Sequence, residues 1–118
     1  MTSVLVVDDE PMIRLLLRQA LELDNFDVSV AKDGVDALEK VKEKQPDVLV
    51  LDVMMPKMDG IAVCKALRKA QETAQIPIIL LSGQAHYSKS ELLRTGASRY
   101  LPKPVEIDAL VGSIRELV

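Results

Sequence analysis

Two short apolar runs, each followed at once by acidic residues, place the strongest constraint on the fold of this chain. The first run is 3–7, followed by Asp8, Asp9 and Glu10, and the second is 48–51, followed by Asp52. Four or five β-branched or aliphatic residues in a row leave no side for solvent, so both runs are predicted to be strands buried on both faces. In an open parallel sheet, ligands bind at the carboxyl ends of the strands. We therefore expect the acidic residues to meet at one edge of a buried sheet.

The rest of the sequence alternates between short apolar segments and amphipathic segments, with proline, glycine and asparagine at the boundaries. The predicted strands are 3–7, 28–30, 48–51, 78–81 and 99–101. The predicted helices are 11–23, 35–44, 61–69, 88–95 and 107–117. Five strands that alternate with five helices predict an α/β fold, with a doubly wound parallel sheet covered on both faces. The length of 118 residues fits a single domain, 1–118.

Composition narrows the classes of function. The hydrophobic share of 48% and the charged share of 28% are typical of a globular protein. A net charge of −3 argues against direct nucleic-acid binding by this domain. The single cysteine, Cys64, excludes an internal disulfide. No segment approaches the roughly 18 apolar residues of a membrane span, and the first residues do not resemble a signal peptide. We therefore expect a cytoplasmic protein that does not bind a membrane.

Polar residues lie at four of the predicted strand ends, namely Asp8 with Asp9, Asp52, Ser82 and Lys103. Carboxylates that share one cleft repel each other, unless a cation binds or their pKa values shift. Oxygen ligands of this kind favour Mg²⁺, and Lys103 is a compact positive charge suited to a phosphoryl oxygen. A metal and a lysine beside one carboxylate predict phosphoryl transfer onto that carboxylate.

The motifs have a distinctive spacing along the whole chain. They are Asp8-Asp9, Asp52 with Met55-Pro56 and Met58-Asp59-Gly60, Ser82-Gly83, and Lys103-Pro104. Together they resemble the receiver domains of bacterial two-component response regulators, including the chemotaxis regulators. The resemblance implies a flavodoxin-like fold with strand order 2-1-3-4-5. It also implies a regulatory phosphoacceptor that assists its own phosphorylation and dephosphorylation, rather than an enzyme in the usual sense.

The same resemblance implies roles for individual residues around the phosphorylation site. Asp52 would accept a phosphoryl group from a histidine kinase and become an aspartyl phosphate. Mg²⁺, or Mn²⁺ as a substitute, would be held by Asp9 and Asp52 directly, by Asp8 mostly through water, and by the backbone carbonyl of Met54. Met54 would also shield the phosphoryl group from water and slow its loss, while Gln84 could assist the water.

Further implied roles concern the response to phosphorylation. Ser82 would hydrogen-bond the phosphoryl group, Lys103 would pair with it, and the Lys103–Pro104 peptide bond would be cis. Tyr100 lies three residues before Lys103, where the family often carries an aromatic switch residue. Phosphorylation is then expected to reshape the face formed by the fourth helix, fifth strand and last helix, with Tyr100 turning from solvent toward the core.

The first helix is predicted to carry a docking surface for the kinase. At about 100° per residue, five residues of this helix face the sheet, namely Ile13, Leu16, Leu17, Ala20 and Leu21. Met12 and Leu15 fall outside that arc and are expected to stay exposed beside Asp52. Exposed apolar residues at the rim of a site favour a partner contact, and the resemblance implies that this partner is the kinase.

Several side chains are expected to have no special role. Cys64 is predicted to be a small core residue, and His86 a solvated loop residue. Lys65, Arg68 and Lys69 are predicted to form a solvated basic face on the third helix.

Three alternatives compete with a phosphorylated receiver. A phosphatase of the haloacid-dehalogenase type would need a second acid two residues after Asp52, where Met54 stands. A flavin carrier with a flavodoxin-like fold would need a phosphate-binding loop after the first strand, where acidic residues would repel phosphate. A degenerate receiver, acting as a phosphorylation-independent interaction module, is the remaining alternative. The expected partners are a sensor histidine kinase or phosphotransfer protein and either a separate output protein or a fused effector domain, and this last choice stays open.

Overall fold

A computed structural model of the chain describes residues 1–83 and 87–118. Five strands alternate with five helices in these residues. The strands are β1 (Ser3–Val7), β2 (Asp27–Ala31), β3 (Val48–Asp52), β4 (Ile78–Ser82) and β5 (Arg99–Pro102). The helices are α1 (Pro11–Leu23), α2 (Gly34–Glu43), α3 (Gly60–Lys69), α4 (Lys89–Arg94) and α5 (Ile107–Leu117). The α/β alternation predicted from the sequence is confirmed.

All five strands form one parallel sheet in the order β2-β1-β3-β4-β5. This is the order that the resemblance implied, and the flavodoxin-like fold is confirmed. The chain leaves β1 toward one edge and later crosses to β3 on the other side of β1. The ends of β1 and β3 therefore lie side by side, with Val7 opposite Leu51. A parallel sheet opens its ligand site where the strand order reverses, between such neighbours.

Apolar side chains on the two faces of the sheet build two separate clusters. One face packs against α2, α3 and α4, with core residues such as Val41, Cys64 and Leu92. The other packs against α1 and α5, with Leu21 and Ile114. Alternate residues of each central strand enter opposite clusters, because strand side chains alternate between faces. None of the helices within residues 1–83 and 87–118 has both the length and the apolar character needed to cross a bilayer.

Local signals in the sequence account for several helix boundaries. The side chain of Asp33 accepts a hydrogen bond from Asp36 N at the start of α2, and Asp59 caps α3 in the same way. Ser88 and Glu91 form a reciprocal capping box at the start of α4. These contacts satisfy amide groups that the first helical turn leaves without partners. At the other end of α4, Gly96 has a φ of +103°, which glycine adopts without strain.

Two of the expectations for individual side chains are wrong. Leu16 was expected to face the sheet, but 56% of it is exposed. It lies at the rim of a groove between α1 and residues 103–107, where nothing in the described chain covers it. Arg68 was expected to be solvated, but it is half-buried and donates to the carbonyls of Gly96 and Ala74 at 2.9 and 3.1 Å. Its guanidinium thereby joins α3 to the segments before β4 and β5.

The two outermost strands differ in how their free edges end. On β2, the ammonium of Lys40 from α2 donates to the outward-facing carbonyl of Val30, and Lys44 lies 3.8 Å from Asp27. On β5, the last residue is Pro102, which has no amide hydrogen to donate.

Candidate functional site

The carboxyl ends of four strands bring Asp8, Asp52, Ser82 and Lys103 together, and we call this group the Asp52 pocket. Asp52 and Ser82 are the last residues of β3 and β4, and Asp8 and Lys103 directly follow β1 and β5. Asp8, Asp52 and Ser82 are only 1–2% exposed. Two acidic side chains are thus buried at the edge of an otherwise apolar sheet, a costly arrangement unless they are paired.

Lys103 supplies the pairing charge. Its ammonium lies 3.0 Å from Asp52 Oδ1 and 3.5 Å from Asp8 Oδ2, so it bridges the two carboxylates. The amide of Lys103 donates to the carbonyl of Ser82 at 3.0 Å, which ties the start of the 103–107 segment to the end of β4. The Lys103–Pro104 peptide bond is cis.

Each polar group of Asp8 has a hydrogen-bond or ion-pair partner. Its amide donates to the carbonyl of Ala31 on β2 at 3.2 Å. Its carbonyl accepts a hydrogen bond of 2.7 Å from Arg14 Nη1 on α1. Of the carboxylate oxygens, Oδ1 accepts from the Glu10 amide at 2.9 Å and Oδ2 contacts Lys103. The turn that leaves β1 therefore has its conformation fixed by three neighbouring parts of the fold.

Burial and charge act together on the pKa values of the pocket. Loss of water around the Asp52 carboxyl raises its pKa, and Asp8 adds to this rise, while Lys103 and the Met54 amide oppose it. Burial would lower the pKa of Lys103, but the Asp52 and Asp8 carboxylates together raise it above its usual range. The two rises in pKa have different chief causes, burial for Asp52 and the neighbouring carboxylates for Lys103, and two carboxylates share a single ammonium. The pocket carries an excess of negative charge.

A second group of acids lies beside the pocket. Asp8, Asp9 and Glu10 each offer a carboxylate oxygen within 4.8 Å of the others, and Asp9 and Glu10 are exposed. Hard oxygen donors and unbalanced negative charge are the chemistry that Mg²⁺ prefers. The residues present therefore fit a divalent cation.

Glu10 belongs to this acidic group, although no metal-binding role was expected for it from the sequence. Its place before α1 also suits the positive end of a helix, yet its side chain makes no capping hydrogen bond. Asp52 lies outside the group formed by Asp8, Asp9 and Glu10 among the described residues, and it is linked to that group through Lys103. The run of three acids after β1 is the one sign in the sequence that Glu10 joins Asp8 and Asp9.

The loop after β3 is packed tightly around Asp52. The Met54 amide donates to Asp52 Oδ1 at 3.3 Å. A Cβ added to Gly60 would lie 2.3 Å from the carbonyl oxygen of Asp52, so no larger residue fits where α3 begins. The side chain of Met54 is half-exposed at the mouth of the pocket.

Tyr100 lies on β5 opposite Leu80 and is half-buried. It packs against the cluster of α2, α3 and α4. Tyr100 therefore already lies closer to the core than the expected position in solvent. Gln84 and His86, on which two expectations rest, lie outside the described residues.

The exposed side of α1 carries apolar side chains next to the pocket. Met12 is 66% exposed and Leu15 is 48% exposed. Leu16 extends this surface into an open groove of about 450 Å³. Its lining includes Ile13, Lys103, Val105 and Ile107.

Comparison with known proteins agrees with this geometry. The family model described as "Response regulator receiver domain" matches residues 4–115. The response regulator MprA of Mycobacterium leprae is 42% identical over 116 residues, which cover 98% of this chain and 50% of MprA. The chain thus spans about half the length of this curated relative.

Solved structures show the same likeness. The receiver domain of the Francisella response regulator 1452 is 37% identical with a TM-score of 0.91, covering 99% of this chain and 96% of that one. The response regulator TrrA of Thermotoga maritima, solved in complex with Mg²⁺ and BeF, is 33% identical with a TM-score of 0.90 over the whole of both chains. The fold, the Asp52 pocket and these likenesses lead to one conclusion: the chain belongs to the response regulator receiver domain family.

Proposed function

We propose that this receiver domain is phosphorylated on Asp52 in a reaction that depends on Mg²⁺. The observation that carries the proposal is the Lys103 ammonium, which lies within 3.5 Å of both buried carboxylates at the strand ends. A buried carboxylate beside a fixed positive charge is suited to receive a phosphoryl group, since the ammonium can contact the oxygens of that group. The side chains that a phosphoacceptor needs are all present, which speaks against a degenerate receiver.

The transfer itself follows from the contacts of Asp52. Both hydrogen bonds that the described residues make to its carboxylate fall on Oδ1, so Oδ2 is the oxygen that we expect to attack phosphorus. The new bond joins Oδ2 to phosphorus as the bond between phosphorus and the nitrogen of the donor phosphohistidine breaks. Lys103 can then turn from the carboxylate to an oxygen of the phosphoryl group, and the buried Ser82 hydroxyl lies at the neighbouring strand end.

The metal would be held by Asp8, Asp9 and Asp52 and by the backbone carbonyl of Met54, with Glu10 at the rim. A bound Mg²⁺ would neutralise the phosphoryl oxygens as charge shifts between donor and acceptor. The likeness to TrrA supports this proposal, because that protein was solved with Mg²⁺ and BeF.

Labelling with acetyl phosphate tests both parts of the proposal. We expect intact mass to show one added phosphoryl group in the presence of Mg²⁺ and none in excess EDTA. Asp52→Asn should abolish labelling. Asp59→Asn is the matched control, because asparagine still caps α3 and the residue lies outside the Asp52 pocket. Full labelling of Asp52→Asn, or equal labelling in EDTA, would contradict the assignment.

The partners follow from the same proposal. A sensor histidine kinase or a phosphotransfer protein would donate the phosphoryl group, and a separate output protein or a fused effector domain would respond. The net charge of −3 supports an output through protein contacts of this domain, without direct binding to nucleic acid.

A further inference from the structure

Arg14 is the second basic side chain near the acids, and it is bound differently from Lys103. Lys103 contacts carboxylates, whereas Arg14 donates to a backbone carbonyl, that of Asp8, at 2.7 Å. Arg14 is half-buried in α1, and its amide is bonded to the carbonyl of Glu10 in the first helical turn. Arg14 thus connects the helix to the turn that presents Asp9 and Glu10.

The contact to Asp8 sets the direction of the peptide that leads into Asp9. The other polar groups of Asp8 are bound to Ala31, Glu10 and Lys103. The Lys103 contact is the one that a phosphoryl group would compete for, and the Glu10 contact is local to the turn. The bond from the Asp8 amide to the Ala31 carbonyl and the bond from Arg14 to the Asp8 carbonyl are therefore the two that fix this turn against the rest of the fold.

We propose that Arg14 is a positioning residue for Mg²⁺, which acts by holding the Asp8–Asp9 peptide so that the acids converge. The inference rests on the proposed function, since it assumes that the acids bind Mg²⁺. The expected effect of Arg14 on Mg²⁺ affinity is opposite to the effect of its charge, because a nearby positive charge repels a cation. Removing Arg14 would strengthen Mg²⁺ binding if charge alone mattered, and weaken it if the hydrogen bond matters.

The sign of the change therefore tests the proposal. Arg14→Met keeps most of the side-chain volume and removes both the donor and the charge. We expect its Kd for Mg²⁺ to rise about tenfold, as is usual when a side chain that orients metal ligands is lost. Arg14→Lys keeps a donor at similar reach and should restore most of the affinity. The measurement is a Mg²⁺ titration of the unphosphorylated protein, followed by the amide NMR signals of Asp9 and Glu10.

Arg18→Met is the matched control. Arg18 lies one turn further along α1 and pairs with Glu22 on the surface, so its loss removes the same charge without touching the turn. We expect its Kd to match that of the parent. Should Arg14→Met prevent folding, Arg14→Gln replaces it, because its amide is two bonds shorter and should not reach the Asp8 carbonyl.

The possible failures are distinguishable. If the parent protein shows no response to Mg²⁺, the proposed function itself is wrong. If the parent binds Mg²⁺ and Arg14→Met binds as tightly or more tightly, the positioning role alone is overturned. If Arg14→Lys is as weak as Arg14→Met, a donor at this position is not what matters, which also overturns the role.

Discussion

The Asp52 carboxylate combines burial with an excess of negative charge, and this should make it a source of instability in the absence of a cation. Its pKa is raised in the folded protein, chiefly because burial removes water from the carboxyl. The folded state therefore holds the Asp52 proton more tightly than the unfolded state does. The resulting stability is present at pH values below the unfolded pKa and is lost as pH rises through the folded pKa.

We expect Asp52→Asn to raise the free energy of unfolding at pH 7 by about 1 kcal/mol, in the usual range for removing a poorly compensated buried charge. The Asp8–Lys103 contact remains in the variant. The gain should shrink as pH falls from 7 through the raised pKa of Asp52, where the parent takes up its proton. Urea unfolding in EDTA across this pH range measures the effect.

Asp27→Asn provides the control for this measurement. The Asp27 side chain is 57% exposed and lies 3.8 Å from Lys44, so its change should stay within about 0.5 kcal/mol. If Asp52→Asn instead lowers the free energy of unfolding at pH 7 by about 1 kcal/mol, the contact with Lys103 outweighs the cost of burying Asp52.

At the scale of single elements, α1 joins the core to a surface beside the Asp52 pocket. Leu17 and Leu21 are buried in the cluster that α1 shares with α5, while Met12 and Leu15 remain exposed near Asp9 and Glu10. Apolar side chains at this rim support contact with the helices of a kinase.

We expect Met12→Gln with Leu15→Gln to slow transfer from a histidine kinase roughly tenfold, which corresponds to a loss of about 1.4 kcal/mol of contact. Labelling by acetyl phosphate should be unchanged, because neither side chain belongs to the Asp52 pocket. Leu23→Gln is the matched control, since Leu23 is 85% exposed on the same helix but about 16 Å further along it. Equal rates for all variants would return these residues to ordinary surface positions.

The elements themselves were predictable because their signals are local. Apolar runs, capping residues such as Asp59 and Ser88, and Gly96 act within a few residues of their position. The exposure of Leu16 could not be predicted in this way, because it depends on how far residues 103–107 stand from α1. The role of Arg68 was missed for a similar reason, since its acceptors are backbone carbonyls that no sequence pattern marks.

The candidate site could be predicted as far as it depends on where the strands end. The positions of Asp8, Asp52, Ser82 and Lys103 follow from the strand ends, and these four do lie together. The sequence predicts Lys103 beside a carboxylate, but the contact of its ammonium with two carboxylates depends on side-chain conformation. The same is true of the bond from Arg14 to the Asp8 carbonyl, of which the sequence offers no sign.

At the scale of the whole molecule, the ends of β4 and β5 offer a route from the pocket to a distant face. Ser82 pairs with Pro102, and the Lys103 amide donates to the Ser82 carbonyl. Tyr100 lies two residues before Pro102 on β5 and packs against the same cluster as Leu92 of α4. A phosphoryl group that draws on Ser82 and Lys103 would thus act on both strand ends.

We expect the phosphate mimic beryllofluoride, added with Mg²⁺, to shift the amide NMR signals of residues 88–105 in the parent. In Ser82→Ala the mimic should still bind, but the shifts on that face should be several-fold smaller, because coupling between linked sites is typically about 1–3 kcal/mol. Shifts confined to the Asp52 pocket in the parent would show that this switch is absent.

The free edges of the sheet have a consequence for how copies of this domain meet one another. An outermost strand presents unpaired backbone groups on which a strand of another molecule can grow. The ammonium of Lys40 already occupies the outward carbonyl of Val30 on β2, and Pro102 withholds an amide hydrogen at the end of β5. A strand added at either edge would have to displace the half-buried Lys40 ammonium from β2, or tolerate a missing donor on β5. Lys40 and Pro102 should therefore disfavour aggregation of this domain through its edge strands.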